Sequence, residues 1–354
     1  MKKIILALTF ALFTNLFITP TTYAETAEEY FYQGNKMYKE KNFEEAITNY
    51  TKSIELAPSN SRCFYNRGIS YHNLNHYDKA IVDYTKAIEL TPNNPSYFYN
   101  RGISYRNLKQ YEKAIADYTQ AIELTPNKSV YFNNRGISYR NLSQYDKAIT
   151  DYTKAIELKP NNPSYFYNRG ISYAKLNQYD KAIADYTKAI ELKPTESGYF
   201  YNRGISYHAL NQDDKDITDY TKAIELKPID PDYFNNRGIS YTKLKQYGKA
   251  ITDYTKAIEL NPTDPDYFNN RGISYTKLKQ YGKAITDYTK AIELNPNDRK
   301  TYLALALSYD TQKNFPKAIY HYEQFISLAQ HSESDEANET IKKVTQRLSE
   351  LKKK

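Results

Sequence analysis

The residues able to do chemistry in this chain are few in kind and many in number. Five histidines are present, and His72 and His76 stand four apart, the spacing at which one helix face could offer two metal ligands. His76, however, falls where a turn is expected, and no third ligand completes the set. Cys63 is the single cysteine, which excludes an intrachain disulfide and a multi-cysteine zinc site. A glycine-rich phosphate loop and a nucleophile motif are both missing from the sequence. The reading is therefore of a non-enzyme that needs no metal or cofactor. What does recur is asparagine, at 66, 100, 134, 168, 202, 236 and 270. A primary amide carries donors and an acceptor, so Asn66, Asn100, Asn134, Asn168, Asn202, Asn236 and Asn270 could each pair with a peptide group without reading its side chain. One residue before them stand Tyr65, Tyr99, Tyr167 and Tyr201, replaced elsewhere by Asn133, Asn235 and Asn269. Tyrosine supplies contact area with a polar tip, a common interface composition.

These side chains need a scaffold with one spacing, and the glycines give it. They fall at 34, 68, 102, 136, 170, 204, 238 and 272, with Ala306 at the next step. Placing that column eighth in a 34-residue unit gives nine units, beginning at Ala27, Ser61, Pro95, Ser129, Pro163, Ser197, Pro231, Pro265 and Arg299 and covering residues 27–332. Within a unit, Tyr97, Phe98, Gly102, Tyr105 and Leu108 form one apolar stripe at helical spacing, and Tyr111, Ala114, Ile115, Tyr118, Ala121, Ile122 and Leu124 form a second. Each unit is thus predicted to be a helical hairpin. Proline ends the second helix, at Pro92 and Pro126 for example; Asn94 or Asp230 is expected to cap the next one, which opens on Pro95 or Pro231. Gly102, Ala114 and Ala121 are expected to let the two helix backbones approach closely. A core this dependent on tyrosine fits the composition of 39 Tyr, 14 Phe and no Trp.

With these columns in place the chain resembles the tetratricopeptide repeat family, whose period is 34 and whose pattern wants a large aromatic, Gly, Tyr, Ala, an aromatic, Ala and Pro here. Seven units contain Asn-Arg-Gly-Ile-Ser-Tyr unchanged; Phe replaces the usual Trp, and Arg the usual Leu before Gly. The resemblance implies an all-α fold, a right-handed α-solenoid of about nine helix-turn-helix units, whose concave surface is lined by the first helix of each. The asparagine column is similar to the ladder lining the superhelix of O-linked N-acetylglucosamine transferases. A protein or peptide segment held along that groove is the partner this implies. Arg106, Arg140, Lys175, Lys243 and Lys277 tilt the same face towards acidic partners. The carboxylate clamp known in the family needs Lys and Asn where this chain has Tyr or Asn and Ile, so that specificity is not expected.

Two further readings come from the columns themselves. Units two to eight pair Arg at position 7 with Asp at position 23, whereas unit one has Gln33 with Asn49 and unit nine Leu305 with His321. Columns that change together predict a partly buried ion pair between the two helices of a unit. In unit six, Asp213 replaces an aromatic and Asp216 the packing alanine, which predicts a weak point or hinge, or else a rotation exposing both acids.

The ends differ from the body. Residues 1–24 carry Lys2 and Lys3, an apolar run from Ile4 to Ile18 and an exit ending in Ala24, the pattern of a signal peptide for an exported protein, periplasmic or secreted. Residues 333–354 are expected as a linker, polar from His331 to Asn338, and a capping helix whose stripe is Ile341, Val344, Leu348 and Leu351. Its end, Lys352 to Lys354, suits a helix C-terminus, with contact to an anionic membrane as the alternative. Residues 1–24 and 341–354 account for seven of the eight net positive charges, so the near-neutral body between them does not fit a nucleic-acid binder. Beside the groove reading stand a spacer protein with no groove ligand and a secreted, host-directed effector using the same groove. The sequence leaves the oligomeric state open.

Overall fold

A computed structural model describes residues 25–329 and 335–353. The expected leader, residues 1–24, lies outside the described residues. Among those described, the chain forms nineteen helices and no strand, and no helix is long and apolar enough to cross a membrane. The helices fall into two compact bodies, one through Pro126 and one from Asn127. The first holds α1 (Ala27–Lys39), α2 (Phe43–Leu56), α3 (Ser61–Asn73), α4 (Tyr77–Leu90), α5 (Pro95–Asn107) and α6 (Tyr111–Leu124). The second holds α7 (Ser129–Asn141), α8 (Tyr145–Leu158), α9 (Pro163–Lys175), α10 (Tyr179–Leu192), α11 (Ser197–Ala209), α12 (Asp213–Leu226), α13 (Pro231–Lys243), α14 (Tyr247–Leu260), α15 (Pro265–Lys277), α16 (Tyr281–Leu294), α17 (Arg299–Thr311), α18 (Phe315–Ala329) and α19 (Asp335–Leu351). Within each body, odd and even helices pair as hairpins and each hairpin packs on the next, an α-solenoid in which a repeat touches only its neighbours.

Each helix starts and stops for local reasons. Thr26 and Glu29 form a capping box at α1. Asn94 accepts from the Ser96 amide at 3.0 Å, but Asp230, expected to do the same, makes no cap bond and takes Lys227 instead at 2.9 Å. An exposed lysine within reach outcompetes the amide for the carboxylate. Between the helices of every repeat one non-glycine residue turns left-handed, φ 57 to 61°, at Lys41, Asn75, Lys109 and so on to Lys313. That turn redirects the chain at some cost, because a β-carbon crowds the backbone there.

The core is a column of tyrosines. Tyr50, Tyr84, Tyr118 and their equivalents through Tyr322 are all but fully buried, with Ala at 0% exposure beside them, as at Ala114 and Ala121. The glycine column serves these rings rather than the alanines: a β-carbon built on Gly102 would stand 2.8 Å from Cε1 of Tyr118. Sequence reasoning placed backbone against backbone; the structure places backbone against ring, since the tyrosine reaches across the hairpin into the space the glycine leaves. At the far end, Val344, Leu348 and Leu351 of α19 bury against Ala318, Tyr322, Phe325 and Ala329. Here α19 begins at Asp335, so residues 335–338 are helical where a linker was expected.

Candidate interaction surface

The arginine and aspartate columns form the pair their joint variation predicted. In Arg101, Nε and one terminal nitrogen donate to the two oxygens of Asp117, each at 2.8 Å, and the other terminal nitrogen donates to Thr85 of the preceding repeat at 3.0 Å. The fork recurs in all seven repeats that carry both residues. Burial pushes the Asp117 carboxyl above its ordinary value while Arg101 pulls it back, as expected for a charge that leaves water only because a fixed partner awaits it. This pair bolts each repeat together and to its neighbour.

The asparagine column does two jobs. Position 6 of one repeat donates to position 5 of the repeat before it: Asn100 to the Tyr65 hydroxyl at 2.9 Å, Asn202 to Tyr167 at 3.1 Å, Asn236 to Tyr201 at 2.7 Å, Asn168 to Asn133 at 3.0 Å and Asn270 to Asn235 at 3.1 Å. Tyrosine and asparagine alternate at position 5 because each offers an acceptor at that place. Asn66 donates to Asn35 at 2.8 Å. Asn100, Asn134 and Asn202 also donate to the carbonyl four residues back, and Asn134 is buried. Much of the donor capacity assigned to a ligand thus lies within the protein. No sequence column could show this, because the partner lies 35 residues away, in the stacking geometry.

The tyrosines beside them are half-buried cement. Tyr65 lies 4.7 Å, centroid to centroid, from Tyr97 of the next repeat, and Tyr201 likewise 4.6 Å from Tyr233. Tyr99 lies 5.9 Å from Tyr118, and Tyr167 5.9 Å from Tyr186. The basic residues scatter. Arg140 donates to the Asn168 oxygen at 3.1 Å, Lys243 is bound to Asp213, Arg106 is half-buried, and Lys175 and Lys277 are exposed.

What these columns leave open is a recess between successive first helices. In the first body, one of about 140 Å³ is lined by Asn35, Tyr38, Tyr50, Asn66 and Ile69. In the second body, another of about 290 Å³ has Ile273, Thr276, Lys277, Tyr288, Ala304 and Leu307 among its walls. Both are built from positions 9, 12 and 24 of one repeat and 6 and 9 of the next. Position 9, half-exposed isoleucine in most repeats and Leu307 at 51% exposure in the last, gives each recess an apolar edge. Sequence reasoning noted this isoleucine only as the absence of a clamp residue. Its exposure on a helix otherwise lined with polar side chains was the missed signal.

The rotation that would expose both acids of the sixth repeat is not what the structure shows. Asp216 is fully buried and its Oδ2 lies 2.8 Å from His208 Nδ1 and 2.9 Å from Ser240 Oγ, while Asp213 accepts from Lys243 at 2.8 Å. Neither acid is rotated out. His72, by contrast, meets Ser104 at 2.9 Å, and His76 is exposed. Among the described residues, the one group of His, Cys, Asp and Glu close enough to share an ion is His208, Asp213 and Asp216.

Comparison with known proteins agrees with the period. Profiles described as tetratricopeptide repeat match residues 61–94, 95–128, 163–196, 231–264 and 265–298, and further ones match 117–150 and 197–230. One described as TPR repeat matches 34–75 and 136–177, so the matches together run unbroken from residue 34 to 298. No curated protein matches the chain. Among solved structures, a tetratricopeptide repeat protein from Parabacteroides merdae is similar with a TM-score of 0.53 at 20% identity, covering 70% of this chain and 98% of its own. The Cut9-Hcn1 hetero-tetramer of the APC/C is similar with a TM-score of 0.52 at 17% identity, covering 90% and 76%. YrrB, a TPR protein with an unusual peptide-binding site, gives 0.45 at 24%, covering 51% and 92%. At these identities the likeness is one of fold.

Proposed function

Since the chain belongs to the tetratricopeptide repeat family, whose arrays are in general protein–protein interaction scaffolds, we propose that it is a non-enzymatic scaffold binding a peptide or protein segment along the face of its first helices. The observation that supports this reading is the recess formed from the same five columns in both bodies, with tyrosine and isoleucine walls and an amide at the rim of the first. An extended segment could seat one apolar side chain per recess and offer its backbone N–H groups to the asparagine oxygens. Lys277 at one recess and Lys175 on the same face favour an acidic segment. The protein is exported on this reading, its leader being residues 1–24.

Site-specific photocrosslinking in intact cells tests it. A reactive group at Ile103, Ile171 or Ile239 is expected to capture partner protein, whereas one at exposed Val82 on a second helix is not. Equal yields from both faces would favour the second reading, a spacer without a groove ligand, which the use of the ladder's N–H groups inside the protein supports. Fractionation of the same cells reports whether the chain leaves the cytoplasm.

A further inference from the structure

The sixth repeat departs from the others at two columns at once, and both departures supply a carboxylate. Position 17 is aromatic in the other eight repeats and Asp213 here; position 20 is alanine in the other eight and Asp216 here. These acids lie three apart on α12, hence on one face, and His208 of α11 meets them: Nδ1 is 2.8 Å from Asp216 Oδ2 and 3.8 Å from Asp213 Oδ1. One oxygen of the fully buried Asp216, Oδ1, has no hydrogen-bond partner. A buried carboxylate oxygen left without a partner is costly, and a repeat array with an alanine available at that column has an easy way to avoid it.

From this geometry we infer that His208, Asp213 and Asp216 form a binding site for a divalent transition-metal ion of the zinc class. Nitrogen and oxygen donors about 2.1 Å from a tetrahedral ion stand about 3.4 Å from one another, and the two distances from His208 bracket that value. One neutral imidazole and two carboxylates balance a double positive charge and, lacking a thiolate, suit zinc, cobalt(II) or manganese(II). The surroundings already hold the place of a cation. Lys243 of α13 donates to Asp213 at 2.8 Å and also to Asn211 at 2.8 Å, so it keeps a partner when an ion takes Asp213. Ser240 of the same helix donates to Asp216 Oδ2 at 2.9 Å and lies 3.3 Å from His208 Nδ1, holding the two ligand atoms together, and the buried Tyr220 flanks Asp216. The ion would tie α11 to α12 in the very repeat that lacks the aromatic and the alanine, a role independent of any groove ligand.

The full chain, freed of metal, is titrated with cobalt(II) and then zinc. The expected result is a visible cobalt absorption band saturating at one equivalent per chain, its loss on adding zinc, and a melting temperature several degrees higher with zinc. Asp216→Ala and Asp213→Tyr restore the residues of the other repeats and so keep the fold; both are expected to abolish the band. Absence of a stoichiometric band, or a band unchanged in Asp216→Ala, overturns the assignment.

Discussion

The ring of Tyr118 fills the place of the side chain that Gly102 lacks, its Cε1 2.8 Å from where a β-carbon would be. The relation repeats at Gly34 with Tyr50, Gly68 with Tyr84 and onward to Gly272 with Tyr288. Because that ring is fully buried it has nowhere to retreat, so Gly102→Ala is expected to cost about 1–3 kcal/mol by overpacking. Urea unfolding followed by circular dichroism measures it, and an unchanged midpoint would show that the ring can yield.

The Arg101–Asp117 fork makes a prediction about loss and rescue. Asp117→Ala strands a guanidinium that is only 17% exposed and should cost about 3–5 kcal/mol. The double change Arg101→Leu with Asp117→His copies the ninth repeat, where Leu305 is fully buried opposite His321, and is expected to recover most of that loss. If the double variant is as unstable as the single one, the charge pair contributes more than the burial it displaces.

A gain is expected at the turns. Lys109 holds φ 58°, a conformation costing an L-residue about 1–2 kcal/mol and glycine nothing, against a glycine entropy penalty of about 0.5–1 kcal/mol. Lys109→Gly should therefore stabilise by about 0.5–1 kcal/mol, visible as a rise in melting temperature.

Acid should weaken the fold partly through His72. Burial, helped by the charge of Arg106, lowers this imidazole below its ordinary value of 6.5. The unfolded chain then takes up a proton near pH 6.5 that the folded chain refuses, so the contribution is full above that pH and is lost as pH falls through 6.5 towards the lower folded value. His321 behaves alike, through burial and Lys317. His72→Thr copies Thr242, which meets Ser274 at 3.2 Å as His72 meets Ser104, and removes the titration. The difference in urea midpoint between pH 7.5 and 5.5 should shrink in that variant; an undiminished difference would clear His72 of any part in it.

What could be read from the sequence was whatever stays inside one repeat. The hairpin, its proline stops and the Arg101–Asp117 pair all join residues less than 34 apart, so nearly every copy of the unit carries both partners and their joint change in repeats one and nine is visible. The destination of the Asn100 amide, the recess built from positions of two repeats, the meeting of His208 with Ser240 and that of Asp213 with Lys243 were decided by how one hairpin stacks on the next. Stacking angle and side-chain rotamers set those contacts, and a repeated letter in a column is the same whether its side chain reaches for a ligand or for the neighbouring turn.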